Sequence, residues 1–559
     1  MRHSKFTAGA VLFSALCLSS CGNTDVVNIE ALPFKADSDD RWGLIDWDGN
    51  IIIEDEFKDR PSCVKEGRLY VKNSDGEYEF YIADKELQQI GETYVDAAHF
   101  NEGLAPTVKK NEHIKYINTD GKTVFELTTT NDGKEITQAY EFSEGRALFY
   151  TEDNKYGFIN TKGEIVIPAK YNFAQSFVDG YAIVATVESD DKKGEVIKTF
   201  LIDKDGKVRL AVSDKMQIMG IPQNGKIPFY YNKDEEKGER AIGFIDFDGN
   251  VVMEPNKKFI TAQPFFFGYS IVANSDYEFG LIDEDGKIVI RPKYQSIYQL
   301  DSDCFLYRDD NEWGIMNYDG EIILRPDYPE VITFQGMNHI FAYDGDSWSI
   351  IDKKGEEISK DSYDVIEVGI DKTYVESDFV DMAAEVKKAM SIISDKGFDK
   401  ATFSITPERM AQLYGQSADE LSYTYNISSD ISLGRNLNAT ILAEYPVSIT
   451  EPVYEEVVEQ GYYGNYTTNR LAGYRFRDMT NQYLSLSLSP TNKLAYKSQE
   501  FFDELNKALV KAGYKEISES ESGIDPYTTT DGMKFYKKGQ IRLSVHLEYE
   551  NIILRAYAQ

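Results

Sequence analysis

The sequence predicts an all-β repeat domain followed by an α+β C-terminal domain. Two observations carry this. One short phrase recurs along most of the chain: aromatic-Gly, an apolar pair, Asp or Asn, one residue, Asp-Gly or a variant, then a β-branched run. After Asp371 the phrase stops and apolar residues fall at helical spacing instead. About nine units of roughly 34–43 residues, each about three short strands, suit a β-propeller or propeller-like closed array. An open β superhelix is the alternative, because three strands per unit is lean for a propeller blade. One such unit cannot bury its own faces, so stacking on its neighbours must supply the core.

The clearest copies are Trp42-Gly43-Leu44-Ile45-Asp46, Tyr156-Gly157-Phe158-Ile159-Asn160, Phe279-Gly280-Leu281-Ile282-Asp283 and Trp313-Gly314-Ile315-Met316-Asn317. Weaker copies end in Asn118, Asp203, Asp246 and Asp352, and a degenerate one surrounds Ile82. A Gly stands four residues after each of the good apolar anchors, from Gly49 after Ile45 to Gly355 after Ile351. Within a unit, Trp-Gly-Leu-Ile-Asp reads as a strand, and Asp-Gly or Lys-Gly as a hairpin turn with Gly supplying the positive φ. Runs such as Ile165-Val166-Ile167 and Ile288-Val289-Ile290 read as return strands. Pro168, Pro255, Pro292 and Pro326 are expected to end them, with Tyr171, Phe259, Tyr294 and Tyr328 next. Several units close on Gly and a further apolar strand, as in Glu102-Gly-Leu-Ala, Glu144-Gly-Arg-Ala and Asp179-Gly-Tyr-Ala.

These phrases resemble the WG-containing repeat family of bacteria over about residues 41–372. True Trp-Gly stands only at Trp42 and Trp313, and the units near Ile82 and Ile202 are eroded. The resemblance implies an all-β repeat domain used for binding or scaffolding, with no activity common to the family.

Ahead of the repeats, Arg2 and Lys5 precede an apolar stretch from Phe6 to Leu18, the layout of a secretory signal. The stretch is shorter than the ~20 apolar residues a spanning helix needs. Leu18-Ser19-Ser20-Cys21-Gly22 resembles a bacterial lipobox. The resemblance implies a signal peptide over 1–20 and a lipidated Cys21 as first residue of the mature chain. Residues 21–40 are then a polar tether. No Asp follows Cys21, so an outer-membrane lipoprotein is expected, facing either the periplasm or the outside. Several acyl chains anchor stably where one would be marginal.

In residues 373–559, Phe379, Ala383, Val386, Met390 and Ile393 mark one helix face. Thr406-Pro407-Glu408 reads as the start of a second helix ending at Gly415. β-rich stretches follow at 439–454, 470–477 and 483–489, then a helix over about 498–513. The alternating runs Ile541 to Leu547 and Ile552 to Ala556 form a terminal hairpin.

The chain has 559 residues, with 60 Lys+Arg against 94 Asp+Glu and a net charge of −34. That excess argues against nucleic acid, which needs a basic surface, and against a polybasic grip on anionic lipid. Four Cys are too few for a disulfide scaffold. Beyond the lipobox region, Cys63 and Cys304 read as buried small hydrophobes.

Metal or catalytic chemistry finds little purchase. Asp46/Asp48, Asp203/Asp205, Asp246/Asp248 and Asp283/Asp285 sit in Asp-x-Asp-Gly, and paired hard oxygens are what Ca²⁺ takes. A calcium loop needs more ligands, including a late Glu, whereas strand residues follow these Gly at once. The pairs therefore read as turns, with calcium the lesser reading. His99, His113, His339 and His546 have no metal-ligand spacing, no His-Glu-x-x-His occurs, and no nucleophile or phosphate-loop motif stands out. No catalytic residue and no cofactor is assigned. Tyr462, Tyr463 and Tyr466, in a Gly-flanked segment read as a loop, are the binding candidates. The reading is a non-enzymatic, lipid-anchored envelope protein whose repeats form a protein-binding scaffold. A glycan- or cell-wall-binding lipoprotein is the first alternative, and a hydrolase sited in residues 373–559 is the second.

Overall fold

The computed structural model describes residues 29–190, 194–213, 216–234, 239–370, 372–395, 404–405, 425–445, 450–461, 464–476, 479–480, 483–523, 532–539 and 541–557. The signal peptide, Cys21 and the helix expected at 406–415 lie outside the described residues. The chain forms two compact units, one ending at Asp378 and one starting at Phe379.

The first unit is a succession of antiparallel sheets, mostly of four strands in sequence order, and it is propeller-like. One sheet shows the pattern: Thr261–Ala262, Tyr269–Ala273, Phe279–Asp283 and Ile288–Tyr294. The expected three strands per unit is corrected to four here. The extra strand is the inner one, Thr261–Ala262, and two residues carry no periodicity from which to read a strand. The anchors Ile45, Ile82, Ile117, Ile159, Ile202, Ile245, Ile282, Met316 and Ile351 all lie in the strand third from the inside. Each anchor but Ile82 is buried against a neighbouring sheet or its own.

The prolines do not end the outer strands. Ile165–Tyr171, Val251–Asn256, Ile288–Tyr294 and Ile322–Tyr328 run through Pro168, Pro255, Pro292 and Pro326. Pro is tolerated because these are edge strands, and register shifts bulge each of them beside it.

The array closes on itself. Strand Ile29–Lys35, part of what the sequence suggested was tether, pairs with Trp42–Asp46. Its other edge pairs with Val64–Lys65 at Ile29 and Ala31 and receives Val365–Ile366 at Phe34 and Lys35, so one inner strand of the first group comes from the far end of the repeats. Ile29, Leu32, Phe34, Ile45 and Cys63 share a core with Phe341, Trp348, Ile350, Tyr363 and Ile366. Trp47 meets Phe334 edge-on at 5.6 Å, and its indole N–H donates to Ile29 O at 2.8 Å. A superhelix with open ends would leave these apolar surfaces in water.

From Tyr363 the chain crosses the inner strands of the first four groups as a strap. Cys63 N–H donates to Gly369 O at 3.0 Å and Glu141 N–H to Thr373 O at 3.0 Å. Tyr374–Glu376 then adds a fifth strand to the sheet of Ile136–Ser143, burying Val375. The repeat unit therefore reaches past residue 372, and its last strands are lent to distant sheets.

The second unit is a seven-stranded antiparallel sheet. Helices Met382–Asp395 and Ser498–Lys511 share one core with it, including Ala389, Ile393, Phe501, Leu505, Leu486, Leu543 and Leu554. Leu484, Leu486 and Leu488 are buried while Ser485, Ser487 and Ser489 between them are half-buried, the alternation a sheet face requires. Thr450–Gly461 and Gly464–Phe476 form a long two-stranded hairpin. Tyr466, in the segment read as a loop, therefore lies on a strand.

Candidate functional site

Two kinds of turn line one side of the repeat unit. The first joins the inner strand of a group to the next strand. Glu66-Gly67, Glu102-Gly103, Glu144-Gly145 and Asp179-Gly180 all have positive φ at both residues, as a two-residue type I′ hairpin requires. Their carboxylates form a relay from sheet to sheet. Glu30 accepts from Gly67 N–H at 3.1 Å, Glu66 from Gly103 N–H at 2.9 Å, Glu102 from Gly145 N–H at 2.8 Å and Glu144 from Gly180 N–H at 2.8 Å. Asp179 accepts from Asn224 N–H. The recurrent Glu-Gly was visible in sequence, but its acceptor role was not, because each donor lies some forty residues away.

The second kind is the Asx-Gly hairpin between third and outer strands. Asp46 Oδ1 accepts Asp48 N–H at 2.9 Å and Asn50 N–H at 2.8 Å, while Oδ2 accepts Asn50 Nδ2 at 3.0 Å. Asp246 repeats this with Asp248 and Asn250, and the Asn250 amide holds its carboxyl below the usual range. Asp283 accepts from Asp285 and Lys287 N–H, and Asp203 from Asp205 and Lys207 N–H. The first carboxylate of each candidate calcium pair is thus engaged by its own turn. Asn serves equally at positions 118, 160 and 317, since the turn needs an acceptor and not a charge. Among the described residues no three His, Cys, Asp or Glu gather as a metal site. The two kinds of turn adjoin: Arg68 Nε donates to Thr119 O at 2.9 Å and Arg146 Nε to Lys204 O at 3.0 Å.

Nearer the inner strands lies a buried polar cluster under the strap. Lys65 Nζ is 3.5 Å from Glu141 Oε2, with side chains 4% and 6% exposed. Glu141 Oε1 accepts His99 N–H at 3.2 Å, and the His99 ring lies against Tyr70, Nε2 to hydroxyl 3.3 Å. Asp96 pairs with Lys372 of the strap at 2.5 Å, and Arg60 with Glu367 at 3.0 Å. These residues are far apart in sequence, and no motif announces them.

Burial, then the charges of Lys65 and Arg60, pushes His99 well below the ordinary imidazole value of 6.5. The folded unit therefore refuses a proton that the unfolded chain accepts. This contribution to stability is complete above pH 6.5 and is lost as pH falls below it. His113 is shifted the same way by burial. Denaturant midpoints should fall below pH 6.5, His99 contributing up to about 1.4 kcal/mol per pH unit. His99→Gln should flatten the dependence; an unchanged slope would exclude His99 as its source.

The remaining sequence candidates separate. Burial pushes the Cys63 thiol up to about 12, and burial with Asp301 does the same for Cys304. Both are buried and free, as expected of small hydrophobes. His339 lies at the closure, its Nδ1 3.1 Å from Trp47 O and 3.0 Å from Asp48 Oδ1. His546 is buried in the second unit. Tyr462 and Tyr463 lie outside the described residues, and Tyr466 stands in strand Gly464–Phe476 opposite Glu459. Among described residues no helix is long and apolar enough to cross a membrane.

Comparison with known proteins adds the following. No curated protein matches the chain. A eukaryotic initiation factor structure aligns at 10% identity over 62% of this chain and 98% of its own, with TM-score 0.41. BamB from Moraxella catarrhalis aligns at 12% identity over 53% of this chain and 92% of its own, TM-score 0.26. The C-terminal WD40 domain of Sif2 does so at 12% identity over 47% and 85%, TM-score 0.28. The WG containing repeat family model matches residues 156–186 and 279–313, on the strands that begin Tyr156-Gly157 and Phe279-Gly280, so the chain carries WG repeats in these two places.

Proposed function

We propose that this chain is a non-enzymatic protein-binding scaffold of the cell envelope, an outer-membrane lipoprotein anchored by lipid on Cys21. Nine units close into one ring, and the α+β domain beyond residue 378 adds a second contact surface. The observation that carries this reading is where the chemistry of the repeats is spent. The Glu-Gly carboxylates bridge sheets and the first Asp of each Asx turn caps its own hairpin. Recurring polar groups so used make a rigid frame, and a frame with variable turns on one side suits recognition of another protein.

In-cell crosslinking of the anchored protein, followed by pull-down and mass spectrometry, tests the scaffold. A partner captured reproducibly and lost when the repeats are deleted supports it. Capture that survives the deletion moves the contact to the α+β domain, and no specific partner shifts weight to a glycan ligand. Cys21→Ser is expected to abolish fatty-acid labelling and release the protein from the membrane fraction. Unchanged labelling and retention would overturn the anchor.

A further inference from the structure

Beside strand Val251–Asn256 the repeat pattern is broken in a way that leaves space. In five repeat units an aromatic near the start of the third strand faces an aromatic on the outer strand. The pairs are Trp42–Phe57, Tyr78–Tyr94, Tyr156–Tyr171, Phe279–Tyr294 and Trp313–Tyr328. In the sheet containing Glu239–Asp246 and Val251–Asn256 the pair is Ile242–Asn256. Ile290-Arg-Pro-Lys-Tyr294 has become Met253-Glu-Pro-Asn-Lys-Lys-Phe259, two residues longer, which carries the ring away from its usual partner.

The result is a cleft of about 210 Å³ between this sheet and the next, lined by Ile242, Met253, Asn256 and Phe259, with Glu254 and Asp285 among its walls. A cavity of about 150 Å³ accepts benzene, so this one has room for a Leu or Phe side chain. The Glu254 and Asp285 residues are exposed, and no Lys or Arg lines the cleft among the described residues. Beyond Asp285, the same hairpin carries Glu284, paired with Lys226. In the same sheet as Asp285, Phe267 is 42% exposed, at a positive-φ turn position where other units place Glu, Asp or Asn.

The geometry points to this cleft as a binding site for one apolar side chain of a partner segment, with Lys or Arg immediately beside it. The apolar floor takes the side chain, and Glu254 and Asp285 select the neighbouring cation. This inference rests on the scaffold reading and gives it a location and a ligand chemistry.

Methyl-labelled methionine in the full chain offers a direct probe, because Met253 lines the cleft. Titration with the capped tripeptide Lys-Leu-Lys should shift the Met253 methyl saturably, with a dissociation constant on the order of 1 mM. Glu-Leu-Glu should bind at least about tenfold more weakly, and Lys-Ser-Lys should leave Met253 unmoved. Asn256→Tyr supplies the ring that five other units carry here, so it should abolish the shift without lowering the melting temperature. Glu254→Gln with Asp285→Asn should weaken Lys-Leu-Lys about tenfold while leaving the cleft open. An unmoved Met253, an equal response to Lys-Ser-Lys, or full binding by the Asn256→Tyr protein would each overturn the site. If in-cell capture depends on the repeats while Met253 stays silent, the scaffold stands and this site falls. If Met253 responds but no partner is captured, the site stands without the scaffold.

Discussion

Replacing Lys65 by Met, with Glu141 left in place, is expected to cost the repeat unit about 3–5 kcal/mol. Both side chains are almost wholly buried, and Glu141 also receives the His99 N–H. Removing the ammonium takes the Lys65 charge away from a carboxylate whose desolvation remains, and that penalty exceeds what the pair itself contributes. The double variant Lys65→Met, Glu141→Gln should therefore cost less than the sum of the two single changes. Gln keeps an oxygen for His99 N–H and brings no charge. All four Trp, at positions 42, 47, 313 and 348, lie in the repeat unit. Their fluorescence in urea thus reports this unit alone. Additive single effects would show that the pair is not coupled, and a Lys65→Met cost under about 1 kcal/mol would mean that it behaves as an exposed surface pair.

This cluster marks the boundary of what sequence could reveal. The third strands were legible because Trp-Gly-Leu-Ile-Asp repeats with period and turn chemistry intact. The Asx-Gly hairpins were legible because Gly at a fixed offset has a local cause. Inner strands such as Thr261–Ala262 were not, since two residues show no alternation. Lys65, His99 and Glu141 were invisible for a different reason. They meet only because successive sheets bring their inner strands together and the strap covers them, and nothing within a few residues of any of them encodes that meeting. The same holds for Val365–Ile366, which finds its partner at Phe34 and Lys35. The cleft at Ile242 and Asn256 lies between these cases. Its residues were in plain view as departures from the phrase, but a departure becomes a cavity only once the neighbouring sheet is known to stand against it.

Gly280→Ala is the second large effect, about 3 kcal/mol of destabilisation, and its cause separates two roles that Gly plays in the repeat. Gly280 does not need a left-handed backbone. It needs to lack a Cβ, because one built there would lie 2.5 Å from Ile290 O and 2.6 Å from Pro292 N. Both are backbone atoms, so no side chain can rotate aside. The outer strand bulges over this point, Phe279 facing Tyr294 and Leu281 facing Ile290, and the proline nitrogen, having no hydrogen, can approach. Gly43, Gly157 and Gly314 are equally crowded by a neighbouring carbonyl, at 2.5, 2.7 and 2.6 Å. Gly268 is the opposite case: its φ is +84°, and nothing lies within 4 Å of a built Cβ. Gly268→Ala should cost only about 1 kcal/mol, the left-handed penalty alone. If urea midpoints gave the reverse order, backbone conformation and not strand approach would be what keeps Gly after the aromatic. The expected order instead explains why, at 42–43, 156–157, 279–280 and 313–314, the aromatic varies among Trp, Tyr and Phe while Gly beside it stays: the ring can be exchanged for another that fills the same space, but at these positions the backbone of the bulged strand leaves no room for a Cβ.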